Sequence, residues 1–176
     1  MDETADNTCT GGTNDTCDQT GVNDGAASNA IITDGAFGNG RQFNGTSSYI
    51  SVADDASLQL ADPLTVEAWF KIAAIPSAFQ CLVRKDTATG TRALYSIGVD
   101  TNGKFVGQYY NTTSNIAPVS TSVVTDNQWH HGVMTILGTT VSTYLDGEFH
   151  ASGTITGTQI APNGELDIGA CPPYVG

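Results

Sequence analysis

The sequence predicts an all-β chain folded as a two-sheet antiparallel jelly-roll sandwich. Three observations carry that expectation: runs that alternate apolar and polar residues, turn dipeptides between the runs, and no segment of helical period longer than two turns. Successive side chains of a strand point to opposite faces, so an alternating run has one face to bury. Many short strands with frequent turns suit a sandwich or jelly roll.

Residues 1–39 lack periodicity and are rich in Asp, Asn, Thr and Gly. They predict a loop-rich N-terminal segment packed on the same domain, and 40–176 predict the sandwich itself. In "LTVEAWFKI", Leu64, Val66, Ala68, Phe70 and Ile72 share one face, and Thr65, Glu67, Trp69 and Lys71 the other. Before it, "DDASLQLAD" suits one short helical turn. "LYSIGVD" and "KFVGQYY" flank "TNG", where Asn102 and Gly103 both tolerate positive φ and predict a two-residue hairpin. "WHHGVMTIL" and "TVSTYLD" are joined at Gly138 and Thr139, and Asp146-Gly147 closes a further hairpin. "GELDIGA" is a last short strand. Pro63, Pro76, Pro118 and Pro162 sit at the borders of these runs or between them, where no ladder bond is lost. In "WHHGVMTIL", His131, Val133, Thr135 and Leu137 share one face, and His130, Met134 and Ile136 the other. Both sets are largely apolar, which predicts a strand buried between layers.

The chain has 176 residues, enough for one domain with a core. Charged residues make up only 14 %, so polarity comes from Thr, Ser, Asn and Gly, a composition of β-rich secreted or surface proteins. The net charge of −12 would repel phosphate backbones and anionic headgroups, which argues against nucleic-acid and membrane-surface partners. No apolar run approaches the ~20 residues of a membrane-spanning helix. "MDETADNTCT" is acidic and does not resemble a signal peptide, so an exported protein would be represented here by a mature fragment or excised domain.

Four cysteines permit three pairings. The easiest joins Cys9 to Cys17 within "CTGGTNDTC" and Cys81 to Cys171 over a long range. Two disulfides indicate an oxidising, extracellular or cell-surface location. Asn14, Asn44 and Asn111 match the glycosylation pattern, as chance provides in a chain rich in Thr and Asn.

Several of these segments together resemble a known family. "GRQFNGTSSYISVADDASLQLADPLTVEAWFKI", "NQWHHGVMTILGTTVSTYLDGEFHASG" and "GELDIGA" are similar, in order and spacing, to motifs of the concanavalin A-like, laminin-G-like jelly roll. The resemblance implies that fold, with Trp129, His130 and His131 as packing residues at a strand entrance. Relatives carry a further strand at each end, which implies a sandwich lacking its first and last strands. A bare sheet edge would follow, open to self-association by strand exchange.

The resemblance also implies structural calcium. "CDQTGVNDGAAS" is similar to an Asp- and Gly-bearing family loop, in which Asp18, Asn23 and Asp24 would supply hard oxygens and backbone carbonyls the rest. The competing expectation is an Asx-turn loop without metal. The same fold houses glycoside hydrolases with three acids on one strand. Here Glu165 and Asp167 have no third partner at 169 or 170, and no activated Ser or Cys motif occurs, so no enzyme is expected. A glycan site needs flat aromatic area beside planar polar groups. Trp69 with Glu67, and Gln108 with Tyr109 or Tyr110, are the candidates. The expected function is a non-catalytic extracellular module, within a larger adhesin or polysaccharide-processing protein, that binds polysaccharide or a surface glycoprotein. The alternatives are a structural subunit completed by strand exchange and a glycoside hydrolase.

Overall fold

The computed structural model describes residues 5, 9, 16–19, 22–60, 62–88, 93–111, 113, 115–158 and 160–171. The strands are β1 (Gly25–Ser28), β2 (Ile31–Asp34), β3 (Asn39–Gln42), β4 (Tyr49–Val52), β5 (Leu64–Phe70), β6 (Gln80–Asp86) and β7 (Ala93–Val99). They continue with β8 (Lys104–Tyr110), β9 (Asn115–Ile116), β10 (Val119–Val123), β11 (His130–Leu137), β12 (Thr140–Leu145), β13 (Glu148–Thr154) and β14 (Leu166–Ile168). A 3-10 turn, Ala56–Leu58, sits where the short helical turn was expected, capped by the Asp55 carboxylate.

All strand pairs are antiparallel. The large sheet runs β1-β4-β14-β6-β7-β8-β10, with β9 also on β8, and the smaller sheet runs β13-β12-β11-β5. The smaller sheet lies over one part of the larger: β5 against β6 and β7, β11 against β7 and β8, β12 against β8 and β10, β13 against β10. Between them lies the core, where β5 turns its expected face inward. Leu64 and Phe70 of β5, Met134 and Ile136 of β11, and Val141 and Leu145 of β12 pack on Tyr95, Ile97, Val99, Phe105 and Tyr109. Beyond the smaller sheet, Lys85 Nζ reaches Asp54 Oδ1 at 2.6 Å and the Gly164 carbonyl, and the Tyr95 hydroxyl donates to the Leu58 carbonyl at 3.3 Å. Lys85 is fully buried, so this pair is what lets an ammonium lie under the 53–60 segment.

Three expectations change. The N-terminal stretch read as loop contains β1, β2 and the start of β3. "GAAS" and "NGRQ" pair through backbone alone, and their small or polar side chains leave no period to detect. The second face of β11 is not covered by a layer: Val133 and Thr135 are half-buried and Leu137 is exposed. This outer set is apolar without a layer over it. At residues 100–103 only Gly103 takes positive φ (+74°), and Asn102 does not. The turn is instead held by Asp100 Oδ1, which accepts from the backbone N–H of Asn102 and Lys104 at 2.9 Å each. The Asp146-Gly147 hairpin is as expected, with both residues at positive φ.

Candidate binding face

The site residues anticipated from sequence fall into four places. Trp69 and Glu67 lie on the outer face of the smaller sheet. Gln108 and Tyr110 lie on the outer face of the larger sheet. Tyr109 belongs to the core, 1 % exposed, with its hydroxyl accepting from the Ile160 N–H, so it offers no surface to a ligand. Asp18, Asn23 and Asp24 lie together just before β1.

On the smaller sheet the alternation of β5 turns Thr65, Glu67 and Trp69 outward. Register then decides their neighbours. His131 stands opposite Trp69, and the two rings stack at 5.0 Å and 19°. Phe37, from the tip between β2 and β3, meets Trp69 edge-on at 5.2 Å. Glu67 stands opposite Val133, Val133 opposite Tyr144, and Tyr144 opposite Phe149, with the last two rings 5.7 Å apart. Glu67 Oε2 is 3.5 Å from His131 Nε2. Phe37 (75 % exposed), Trp69 (47 %) and Phe149 (57 %) present large apolar area to solvent on one face. Isolated exposed aromatics need no explanation; a contiguous group marks an interaction surface.

His131, Phe37, Tyr144 and Phe149 were missed as site residues. Tyr144 and Phe149 flank the Asp146-Gly147 turn, so their cross-strand pairing was recoverable from the hairpin register. Phe37 arrives by tertiary contact and left no signal. His130 and Trp129 do behave as packing residues. His130 tilts onto Phe70 and lies between Asp146 Oδ2 (2.8 Å) and Asp126 Oδ1 (3.1 Å), while Lys71 Nζ lies 5.3 Å from the Trp129 ring centroid.

The outer face of the larger sheet carries a polar row in register across five strands: Ser51, Asp167, Arg84, Ser96 and Gln108. It is a closed seam. Arg84 and Lys85 lie in β6, and the Arg84 guanidinium is bidentate to Asp86. Arg92 lies outside the described residues. Asp167 is 2 % exposed, and its Oδ1 has no hydrogen-bond partner among the described residues. Burial pushes its carboxyl up to about 6, with Glu165 and Asp86 adding and Arg84 and Lys85 opposing.

These groups set a pH profile. Asp167 has a folded pKa above its unfolded one, so it costs stability as pH rises from about 4 to 6. His130 is also held high: burial opposes its charge, but hydrogen bonds to Asp146 and Asp126 outweigh that. Its contribution is full below the ordinary His value and is lost as pH rises through the folded value. Asp126 is lowered by the Gln128 N–H and by His130. Asp146 is lowered despite burial by His130 and the His131 N–H. Those contributions vanish in acid. The melting temperature is therefore expected to peak near about pH 5 and fall towards pH 8. Asp167→Asn should add about 1–3 kcal/mol at pH 8 and flatten the profile between pH 4 and 6. An Asn variant no more stable than the parent at pH 8 would refute this.

In the 18–24 turn, Asp18 Oδ2 accepts from the N–H of Asn23 (3.2 Å) and Val22 (3.4 Å), Asp24 Oδ1 accepts from the Asp18 N–H (2.7 Å), and the Asn23 amide donates to Ser57 Oγ. These oxygens serve the loop's own amides, and among the described residues no three His, Cys, Asp or Glu side chains gather to hold a metal ion. Hydrogen bonds of this kind are those of an Asx turn. Of the glycosylation matches, Asn44 Oδ1 caps the N–H groups of Thr46, Ser47 and Ser48, and the buried Asn111 amide donates to the Thr156 and Thr158 carbonyls. Asn14 lies outside the described residues.

The sulfur pairs are Cys9–Cys17 and Cys81–Cys171. Two disulfides on a two-sheet antiparallel sandwich fit an extracellular protein of the concanavalin A-like class. The chain belongs to the concanavalin A-like lectin/glucanases superfamily, whose laminin-G family model matches residues 44–174. A comparison with curated protein sequences gave no match. Among solved structures it is similar to Trypanosoma rangeli sialidase, at 18 % identity and TM-score 0.64, over 87 % of this chain and 25 % of that one. It is also similar to domains LG4-5 of the mouse laminin alpha1 chain, at 13 % identity and TM-score 0.55, over 86 % of this chain and 36 % of that one. A third is domain 4 of an extracellular arabinanase from Geobacillus stearothermophilus, solved with arabinotriose, at 14 % identity and TM-score 0.54, over 81 % and 67 %. At these identities the likeness is one of fold. The chain spans about a quarter of the length of the sialidase. No helix of the described residues is long and apolar enough to cross a membrane.

Proposed function

We propose that this chain is a non-catalytic, extracellular recognition module that binds glycan on the outer face of its smaller sheet, within a larger adhesin or polysaccharide-processing protein. The observation that carries the reading is the contiguous set of exposed Phe37 and Trp69 with half-buried His131, and Glu67 beside it. Such rings lose little entropy on binding and cover the apolar face of a sugar, while a carboxylate takes up its hydroxyls. The arabinanase domain solved with arabinotriose supports the same direction. Trp69→Ala is expected to weaken polysaccharide retention in affinity electrophoresis at least tenfold, about 1.4 kcal/mol or more, with melting unchanged. Retention equal to the parent would overturn this face as the site. Turnover of a polysaccharide that disappears in Glu165→Gln would overturn the non-catalytic part.

A second reading, self-association by strand exchange, has one observation in its favour. β5 pairs with β11 on one side and with no other strand among the described residues. Strictly monomeric behaviour in sedimentation would remove it. Calcium at Asp18, Asn23 and Asp24 is tested by melting with Ca²⁺ and with chelator, and the capped turn predicts equal melting temperatures.

A further inference from the structure

The outer face of the smaller sheet is ordered beyond its aromatics. One register row away from Glu67, Thr65 stands opposite Thr135, Thr135 opposite Ser142, and Ser142 opposite Ser152. Four hydroxyls thus cross all four strands in line, and none makes a side-chain hydrogen bond to a described residue. The next row is Glu67, Val133, Tyr144 and Phe149, and the one after it begins with Trp69 and His131, with Phe37 beyond. Hydroxyl and aromatic rows therefore run side by side, perpendicular to the strands. Strands are spaced at ~4.8 Å, so β5 to β13 covers about 14 Å, and Phe37 packs edge-on against Trp69 near one end.

The charge on this face is equally specific. Its carboxylate, Glu67, is near His131, and its ammonium, Lys71, lies over the Trp129 ring. Elsewhere Arg84 is engaged by Asp86, Lys85 is buried against Asp54, and Arg41 donates to the Ala30 carbonyl. No guanidinium among the described residues is on hand to fork a carboxylate or sulfate, and the chain carries −12 overall.

We infer that this face holds an extended segment of an uncharged polysaccharide, lying across the strands with its apolar ring faces on the aromatic rows and its hydroxyls along Thr65, Thr135, Ser142 and Ser152. This rests on the glycan reading above and narrows it to chain interior and neutral charge. The platform matches about three or four sugar units, each about one strand spacing long.

The test is calorimetric titration with neutral oligosaccharides of one to six units from arabinan and mixed-linkage glucan, beside polygalacturonate and heparin, each in low and high salt. Affinity is expected to rise at least tenfold from the monosaccharide to the tetrasaccharide, then level off, and to change less than twofold with salt. Phe149→Ala, at the far end from Trp69, should weaken the tetrasaccharide at least fivefold and leave the disaccharide unchanged. Thr135→Val should weaken all lengths beyond one. A monosaccharide as tight as the tetrasaccharide, salt-sensitive binding to the anionic polymers, or a Phe149→Ala variant equal to the parent would overturn the inference and leave the glycan module standing. No binding to any glycan, or a dimer broken by Trp69→Ala, would overturn both.

Discussion

Replacing Cys81 and Cys171 together with Ser should lower the melting temperature by about 10–15 °C. The bond ties the start of β6 to the residue three places beyond β14, across a sequence separation of 90. Loop-closure entropy for a ring of that size corresponds to about 4–5 kcal/mol, and in a domain of this length each kcal/mol is worth about 2–4 °C. Cys9–Cys17 spans only 8 residues and should contribute about 2–3 kcal/mol at most. The ordering of the two double variants is thus the sharper check. Calorimetry that finds Cys9/Cys17 removal equal or worse, or a Cys81/Cys171 loss under about 3 °C, would contradict this account.

Gly132→Val should cost about 3 kcal/mol, near the upper end for overpacking. Gly132 lies in the middle of β11 and faces Phe105, a fully buried core residue. A Cβ at that position would lie 2.7 Å from Phe105 Cζ, inside its van der Waals surface. The Phe105 ring is wedged against Phe70, 5.8 Å away, and cannot retreat cheaply. Denaturant unfolding checks the value. A double variant, Gly132→Val with Phe105→Leu, should lose less than the two single changes added together, because the smaller side chain relieves the clash. Strict additivity would mean that the glycine matters for some other reason.

The two cases differ in how far they could be read in advance. The cysteine pairing was the easiest of three to close, and only the coordinates chose it. The glycine stood in a strand of clear pattern and carried no mark of the ring it accommodates. The same division runs through the candidate site. Trp69 and Glu67 could be set on the outer face of β5 from alternation alone, since side-chain direction is a local property of an extended chain. His131, expected only to pack at a strand entrance, joins them because β11 pairs with β5 in one register. Tyr109 was one residue out of phase with the surface and lies in the core instead.

By itself, the sequence determined the all-β class, the inner face of β5, the Asp146-Gly147 hairpin and membership of a laminin-G-like family. Each of these follows from residues near one another in the chain, where period, turn conformation and spacing act directly. Tertiary structure alone decided which strands neighbour which, and so that Phe37, Trp69, His131, Tyr144 and Phe149 share one surface. It also decided that the two anticipated tyrosine and tryptophan groups lie on opposite sides of the molecule. Those relations depend on strand order and register between segments up to about a hundred residues apart, and such pairing is set by the burial of whole faces, which no local pattern encodes.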